Sequence, residues 1–228
     1  MRKIFMAIAL LMSFIFVGQV QAAETPQWIK NLPAAKNANQ IFVVAQVEEK
    51  TTAWISMHEK GSAGNWQEIM TTPGFIGKNG LGKTKEGDSK TPVGIFHFNK
   101  AFGIAPDPNC SIPYTQVDEN IYWSGDTNYK YNQMIDIREY PNLNKSDSER
   151  ITDYNPQYIY CLNISYNEKG TAGKGSAIFL HCFGTAKTWT GGCVAIPQEK
   201  MLKVMQAVQS DCVVIIDSLE NLGGKITQ

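Results

Sequence analysis

The chain lacks a charge excess of either sign. Lysine plus arginine and aspartate plus glutamate both number 21, and no basic cluster interleaved with aromatics stands anywhere along the 228 residues. With no positive field to neutralise phosphates, nucleic acid is excluded as a partner. Long apolar runs are missing beyond the first 22 residues, so no later segment is expected to span a membrane. The closely paired ligands of structural zinc motifs are missing too. A set of His181, Cys182, Cys193 and Cys212 lacks those spacings, and neither a metal nor an organic cofactor is expected. Histidine is scarce, with three in all. His58, at a strand end before Glu59-Lys60, is expected on the surface, and His97, alternating with Phe96 and Phe98, half exposed on a strand.

What is present reads as a strand-rich, turn-rich protein: 43% hydrophobic residues, 19 glycines and 10 prolines, in a length suited to one sizeable core. Residues 1–22 carry Arg2-Lys3, an apolar run from Ile4 to Val17 and then Val20-Gln21-Ala22, the pattern of an export signal with a cleavage site. The mature protein is therefore expected outside the cytoplasm, periplasmic or extracellular. Residues 23–40 read as a lead-in, 41–218 as one domain in which 101–160 form a capping insertion, and 219–228 as a tail. Five cysteines leave at least one unpaired; with Cys193 free, Cys110, Cys161, Cys182 and Cys212 could form two disulfides or none.

Along that domain, Ile41–Val47 and Thr52–His58 suggest a hairpin, and Trp66–Met70 alternates as a third strand. Gly77-Lys78-Asn79-Gly80-Leu81-Gly82-Lys83-Thr84 fits the phosphate-loop expression, with Val213–Asp217 as its possible partner. A phosphate loop works only at the start of a helix, and Glu86-Gly87-Asp88-Ser89-Lys90-Thr91-Pro92-Val93-Gly94 cannot supply one. Nucleotide binding is excluded on that ground. Thr91–Phe98 is expected as a strand with its proline at the start. Residues 101–160, punctuated by Pro106, Pro108, Pro113, Pro141 and Pro156, show no period and read as a lid, within which Ser146–Arg150 could start a helical turn. Its Trp123, Tyr131 and Asn132 offer ring faces and an amide to a peptide or sugar, or else pack the insertion. Tyr158–Asn167 and the His181 strand are expected to pair antiparallel. Gln198–Gln209 is expected as a helix with Met201, Leu202, Met205 and Val208 on its buried face, and Cys212–Asp217 as the closing strand.

The chemistry concentrates in Ser176-Ala-Ile-Phe-Leu-His181-Cys-Phe-Gly-Thr-Ala-Lys-Thr-Trp-Thr190-Gly-Gly-Cys193-Val-Ala-Ile-Pro197. A strand delivers His181, and a short loop closes on Gly191, Gly192 and Cys193. Cysteine attacks as thiolate, and an adjacent imidazole lowers its effective pKa and holds its proton. The bland alternative is a turn running into a core strand, with a satisfied interior histidine. Cys182, next to His181, faces the opposite side of the strand.

Thr190-Gly191-Gly192-Cys193 after a strand histidine resembles the active-site signature of the L,D-transpeptidase catalytic domain (YkuD-like) family. Gly87-Asp88-Ser89-Lys90-Thr91-Pro92-Val93-Gly94-Ile95-Phe96 is similar to its Thr-Pro-x-Gly hairpin, and Tyr131-Asn132 and Gly175–His181 are similar to a secreted branch of it. Gly191 and Ala195 stand where many members carry His and Arg or Asn. The resemblance implies a mainly β fold, an L,D-transpeptidase-like sandwich or barrel with a capping insertion and one or two short helices. It implies peptidoglycan stem peptides as substrate, covalent capture by carbapenems, Cys193 as nucleophile and His181 as base. Backbone N–H groups at Gly192 and Cys193 would hold the oxyanion, a backbone carbonyl would orient His181, and Thr190, Gly191, Ser176, Tyr131, Asn132 and Trp123 would contact substrate.

Overall fold

Ile41-Phe42-Val43-Val44-Ala45 has no polar residue to mark a solvent side, and all five are fully buried in the computed structural model, which describes residues 23–226. The proposed signal segment lies outside the described residues. The strand holding this run, β1 (Gln40–Gln46), is covered on both faces. Phe42 and Val44 point into the main core, while Ile41, Val43 and Ala45 meet Ile29, Leu32, Ala35 and Ala38. Those last four belong to the lead-in, where α1 (Gln27–Lys30) and a 3-10 turn at Pro33–Lys36 lie over the strand. The lead-in is thus part of the packed structure, and its sparse apolar residues are the ones that β1 needs.

Strands β2 (Thr52–Lys60) and β3 (Trp66–Phe75) follow as antiparallel neighbours, then β4 (Gly94–Gly103), β5 (Tyr114–Gln116), β6 (Ile121–Trp123), β7 (Met134–Asp136), β8 (Glu149–Arg150), β9 (Cys161–Ile164), β10 (Phe179–Cys182) and β11 (Val194–Ile196). Helix α2 (Gln198–Ala207) and β12 (Val213–Ser218) complete the chain. The large sheet runs β12-β1-β2-β3-β11-β10-β9-β4-β5, and β12 also pairs with β4, closing it into a barrel. Strand β4 bridges the closure: residues 94–97 pair with β12 and residues 98–102 with β9, across a register shift between Phe98 and Lys100. The barrel core takes Phe42, Ile55, Met57, Leu162, Leu180, Val194 and Val214, and receives Met201, Val204 and Met205 from α2. Each such side chain, fully buried, contributes about 1.5–3 kcal/mol. Val204 rather than Leu202 completes the helix's buried face, because positions i, i+3 and i+4 share one side.

Several sequence expectations shift. The third strand runs on through Phe75, and β4 continues to Gly103, so the insertion begins inside a barrel strand. The insertion then builds a small sheet of its own, β7-β6-β8, which with 3-10 turns at Lys145–Asp147, Ile151–Asp153 and Gln157–Ile159 lies over the outer face of β9 and β10. The strand expected over 158–167 is confined to Cys161–Ile164, since Gln157–Ile159 turns instead. Gly77–Thr84 precedes no helix. His58 is fully buried, hydrogen-bonded to Thr25 Oγ1 (3.0 Å) and Ser56 Oγ (2.7 Å), which corrects its expected place on the surface. The lead-in that supplies Thr25 is what covers it. His97 does lie half exposed. All five cysteines are free.

Candidate active site

Strands β10 and β11 run parallel with Leu180 opposite Val194 and His181 opposite Ala195. Parallel neighbours need a crossover, which the Phe183–Gly192 loop supplies without a helix. Extending the register places Cys193 beside Phe179. Alternation then puts Leu180, Cys182 and Val194 inside the barrel, and Phe179, His181 and Cys193 on its outer face beneath the insertion. The twelve-residue spacing (193 − 181) is therefore one diagonal step between adjacent strands. Both residues line one cavity of about 370 Å³, and each is 7% exposed, so what surface they keep opens into it.

His181 Nδ1 lies 2.7 Å from the Cys182 carbonyl oxygen. A carbonyl only accepts, so Nδ1 carries the proton and Nε2 keeps its lone pair. The ring packs edge-on against Tyr158, with centroids 5.4 Å apart. Burial lowers the imidazole to about 4, with the Cys182 carbonyl opposing the shift. Burial also pushes the Cys193 thiol up to about 12, helped by the Glu149 carboxyl and opposed by the Phe179 amide, Lys83 and the Tyr158 hydroxyl. Burial thus works against the charged form of both groups. This direction runs against the lowered thiol pKa expected from the sequence, because burial leaves less water to solvate a thiolate.

The loop before Cys193 is fastened from both sides. Thr190 Oγ1 donates to the Cys193 carbonyl (2.6 Å) and accepts from the Gly192 N–H (3.1 Å). Thr91 Oγ1 donates to the Gly192 carbonyl (2.8 Å) and accepts from the Gly77 N–H (2.9 Å), which gives the threonine of the Thr-Pro hairpin its task. Gly192 has φ +142, and a Cβ there would stand 2.8 Å from the Lys90 carbonyl oxygen; at Gly191 a Cβ would meet nothing within 4 Å. The Gly192 N–H, expected as an oxyanion donor, is thus taken by Thr190.

Of the remaining expected site residues, Thr190, Gly191 and Ser176 line the cavity. Trp123, Tyr131 and Asn132 do not: they are 2%, 4% and 8% exposed and tie the insertion to the barrel. Trp123 Nε1 donates to Asn132 Oδ1 (2.9 Å), Asn132 Nδ2 to the carbonyls of Tyr166 and Asn167, and Tyr131 Oη to Glu86, which also accepts from Ser176 Oγ (2.7 Å). Sequence reasoning missed Glu149, Tyr158, Lys83 and Trp189. Glu149 and Tyr158 come from the insertion and look like surface and strand residues until it folds down. Lys83 sits inside the false phosphate loop and is bound to Asp88 at 2.9 Å. Trp189 lies at the cavity wall with Lys187 over its ring at 4.7 Å. No cluster of His, Cys, Asp and Glu among the described residues could hold a metal ion.

The closed β-barrel thus presents a cysteine and a histidine on adjacent strands, beneath the insertion and in one cavity. The chain belongs to the YkuD family, the L,D-transpeptidase catalytic domain, whose sequence profile matches residues 41–216. No curated protein matches it. Among solved structures it is similar to the helical cell shape determining protein Pgp2 from Campylobacter jejuni (16% identity, TM-score 0.43, covering 79% of this chain and 48% of that one). It is also similar to an L,D-transpeptidase (Yku) from Stackebrandtia nassauensis (14% identity, TM-score 0.35, 84% and 63%) and to the Ldtfm-avibactam carbamoyl enzyme (12% identity, TM-score 0.37, 79% and 49%). The chain spans about half to two thirds of the length of these structures.

Proposed function

We propose that the protein is a peptidoglycan L,D-transpeptidase of the cell-wall compartment. Cys193 attacks the carbonyl of the third stem residue, a diamino acid, in its bond to the terminal D-Ala. His181 Nε2 accepts the thiol proton and returns it to the departing amine. An amine from a neighbouring stem resolves the thioester into a cross-link, and water in its place gives carboxypeptidase activity. Because burial disfavours the charged form of both groups, the proton leaves sulfur as the sulfur–carbon bond forms, and the thiol first turns from the Ala177 carbonyl, to which it donates at 3.1 Å. The Cys193 N–H is the oxyanion donor in this reading, worth about 3–4 kcal/mol in the transition state. Family membership supports the reaction class. The observation that carries the residue assignment is the shared cavity of His181 and Cys193 on one face of β10 and β11.

Intact-mass measurement after exposure to a carbapenem tests the reading. Wild type gains one adduct, and Cys193→Ala gains none while unfolding at a similar temperature. An adduct that survives in Cys193→Ala, or none on wild type, rejects the assignment. A wall-binding module of the same fold gives no adduct. Product analysis on a defined tetrapeptide stem separates L,D-bond cleavage from a peptidase or amidase acting on another bond.

A further inference from the structure

Glu149 stands at the start of the insertion's β8 strand and lines the cavity that holds Cys193. One of its oxygens accepts from Tyr158 Oη at 3.0 Å, and its charge acts on the Cys193 thiol that lines the same cavity. Among the described residues no lysine, arginine or histidine forms an ion pair with it. Of the two lysines lining the cavity, Lys83 is held by Asp88 at 2.9 Å and Lys187 lies over Trp189 at 4.7 Å. The groups that face Glu149 are Tyr158, Tyr154, Glu86 and Cys193, all neutral or acidic, with the neutral His181 beyond the Tyr158 ring. Burial raises this carboxyl to about 7. A half-buried carboxyl without a countercharge is costly to keep ionised, and a cation delivered into the same cavity relieves that cost.

The reaction proposed above brings such a cation. An amine acceptor arrives at neutral pH mainly as an ammonium, which has no lone pair with which to attack a thioester. We propose that Glu149 is the acceptor subsite: its carboxylate pairs with the incoming primary ammonium beside Cys193 and takes one proton from it. The free amine then forms the carbon–nitrogen bond as the carbon–sulfur bond breaks. A second proton passes from that nitrogen through His181 to the leaving sulfur, so the cycle ends with a thiol, an amide and a protonated Glu149 that loses its proton to solvent. Glu149 is in this account a catalytic residue for aminolysis, and hydrolysis, which needs no ammonium, does not depend on it in the same way.

This inference rests on the transpeptidase reading and is tested by the ratio of its two products. A stem tetrapeptide ending in a diamino acid and D-Ala, incubated at high concentration, serves as donor and acceptor; cross-linked dimer reports aminolysis and tripeptide reports hydrolysis. In Glu149→Gln, confirmed as folded by its thermal transition, the dimer-to-tripeptide ratio at pH 7 falls at least tenfold. It then climbs by about tenfold per pH unit towards the amine's own pKa, as free amine accumulates without a base. An unchanged ratio in Glu149→Gln overturns the inference, as does a fall that raising the pH does not recover. Tripeptide alone from wild type at every pH removes the acceptor subsite while leaving Cys193 acylation standing, whereas no D-Ala release at all removes the parent reading and this one with it.

Discussion

The backbone N–H of Phe179 donates to Cys193 Sγ at 3.3 Å. With the thiol donating in turn to the Ala177 carbonyl at 3.1 Å, the sulfur is fixed as S–H and aimed along the β10 strand rather than at the imidazole. In the proposed reaction a ligand must therefore turn the side chain before attack.

A first prediction concerns thiol reactivity. With the thiol pushed up to about 12, alkylation of Cys193 by iodoacetamide, followed by peptide mass, is slower than that of free cysteine at pH 7 and keeps rising beyond pH 9. A plateau below pH 8 would show a resting thiolate and sink this account of the site. Acylation by a carbapenem need not follow the same curve, because its carbonyl supplies the partner that the sulfur lacks at rest.

The two glycines before Cys193 are expected to differ. Gly192→Ala forces a side chain into φ +142 and against the Lys90 carbonyl at 2.8 Å. Strain of about 1–3 kcal/mol at such a φ lowers the unfolding temperature by about 4 °C or more. The carbapenem adduct should also form at least tenfold more slowly, since the loop that aims Cys193 shifts. Gly191→Ala meets nothing and should unfold within about 1 °C of wild type. Equal losses at both positions would contradict the loop geometry.

Acid stability follows from His58. Burial lowers this imidazole to about 4, whereas in the unfolded chain it titrates near 6.5. The unfolded state then binds the extra proton, so the stabilisation is complete above about pH 6.5 and is lost as pH falls towards 4, by about 3 kcal/mol at most. His181 adds a second contribution of the same sign. Thermal unfolding measured from pH 8 to pH 4 should decline steeply below 6.5 in wild type and less steeply in His58→Gln. Identical slopes would mean that His58 is solvated after all.

Much of the fold was legible because local pattern and tertiary role agree. The β1–β2 hairpin, the antiparallel β9–β10 pair, the α2 helix and the closing strand all follow from apolar period and turn residues, with boundaries off by a few positions. The shared placement of His181 and Cys193 was legible for the same reason: a strand fixes the face of His181, and the glycines mark the loop that returns Cys193. His58 was misread because nothing in Met57-His58-Glu59 tells that Thr25, thirty-three positions away (58 − 25), folds over it. Trp123, Tyr131 and Asn132 were legible as polar and aromatic groups, but whether such groups meet ligand or one another depends on where the insertion lands.

The sequence by itself determined that this is a strand-rich chain with a cysteine and a histidine placed for a nucleophile–base role and no charge to hold a polyanion, since residue type and alternation along a strand need no long-range partner. Only the tertiary structure decided the state of that pair and its company. The insertion that settles over β9 and β10 buries the thiol and the imidazole, which disfavours the charged form of each, and brings Glu149 from a distant segment into their cavity. Desolvation depends on what covers a group, and covering is set by contacts between segments far apart in the chain.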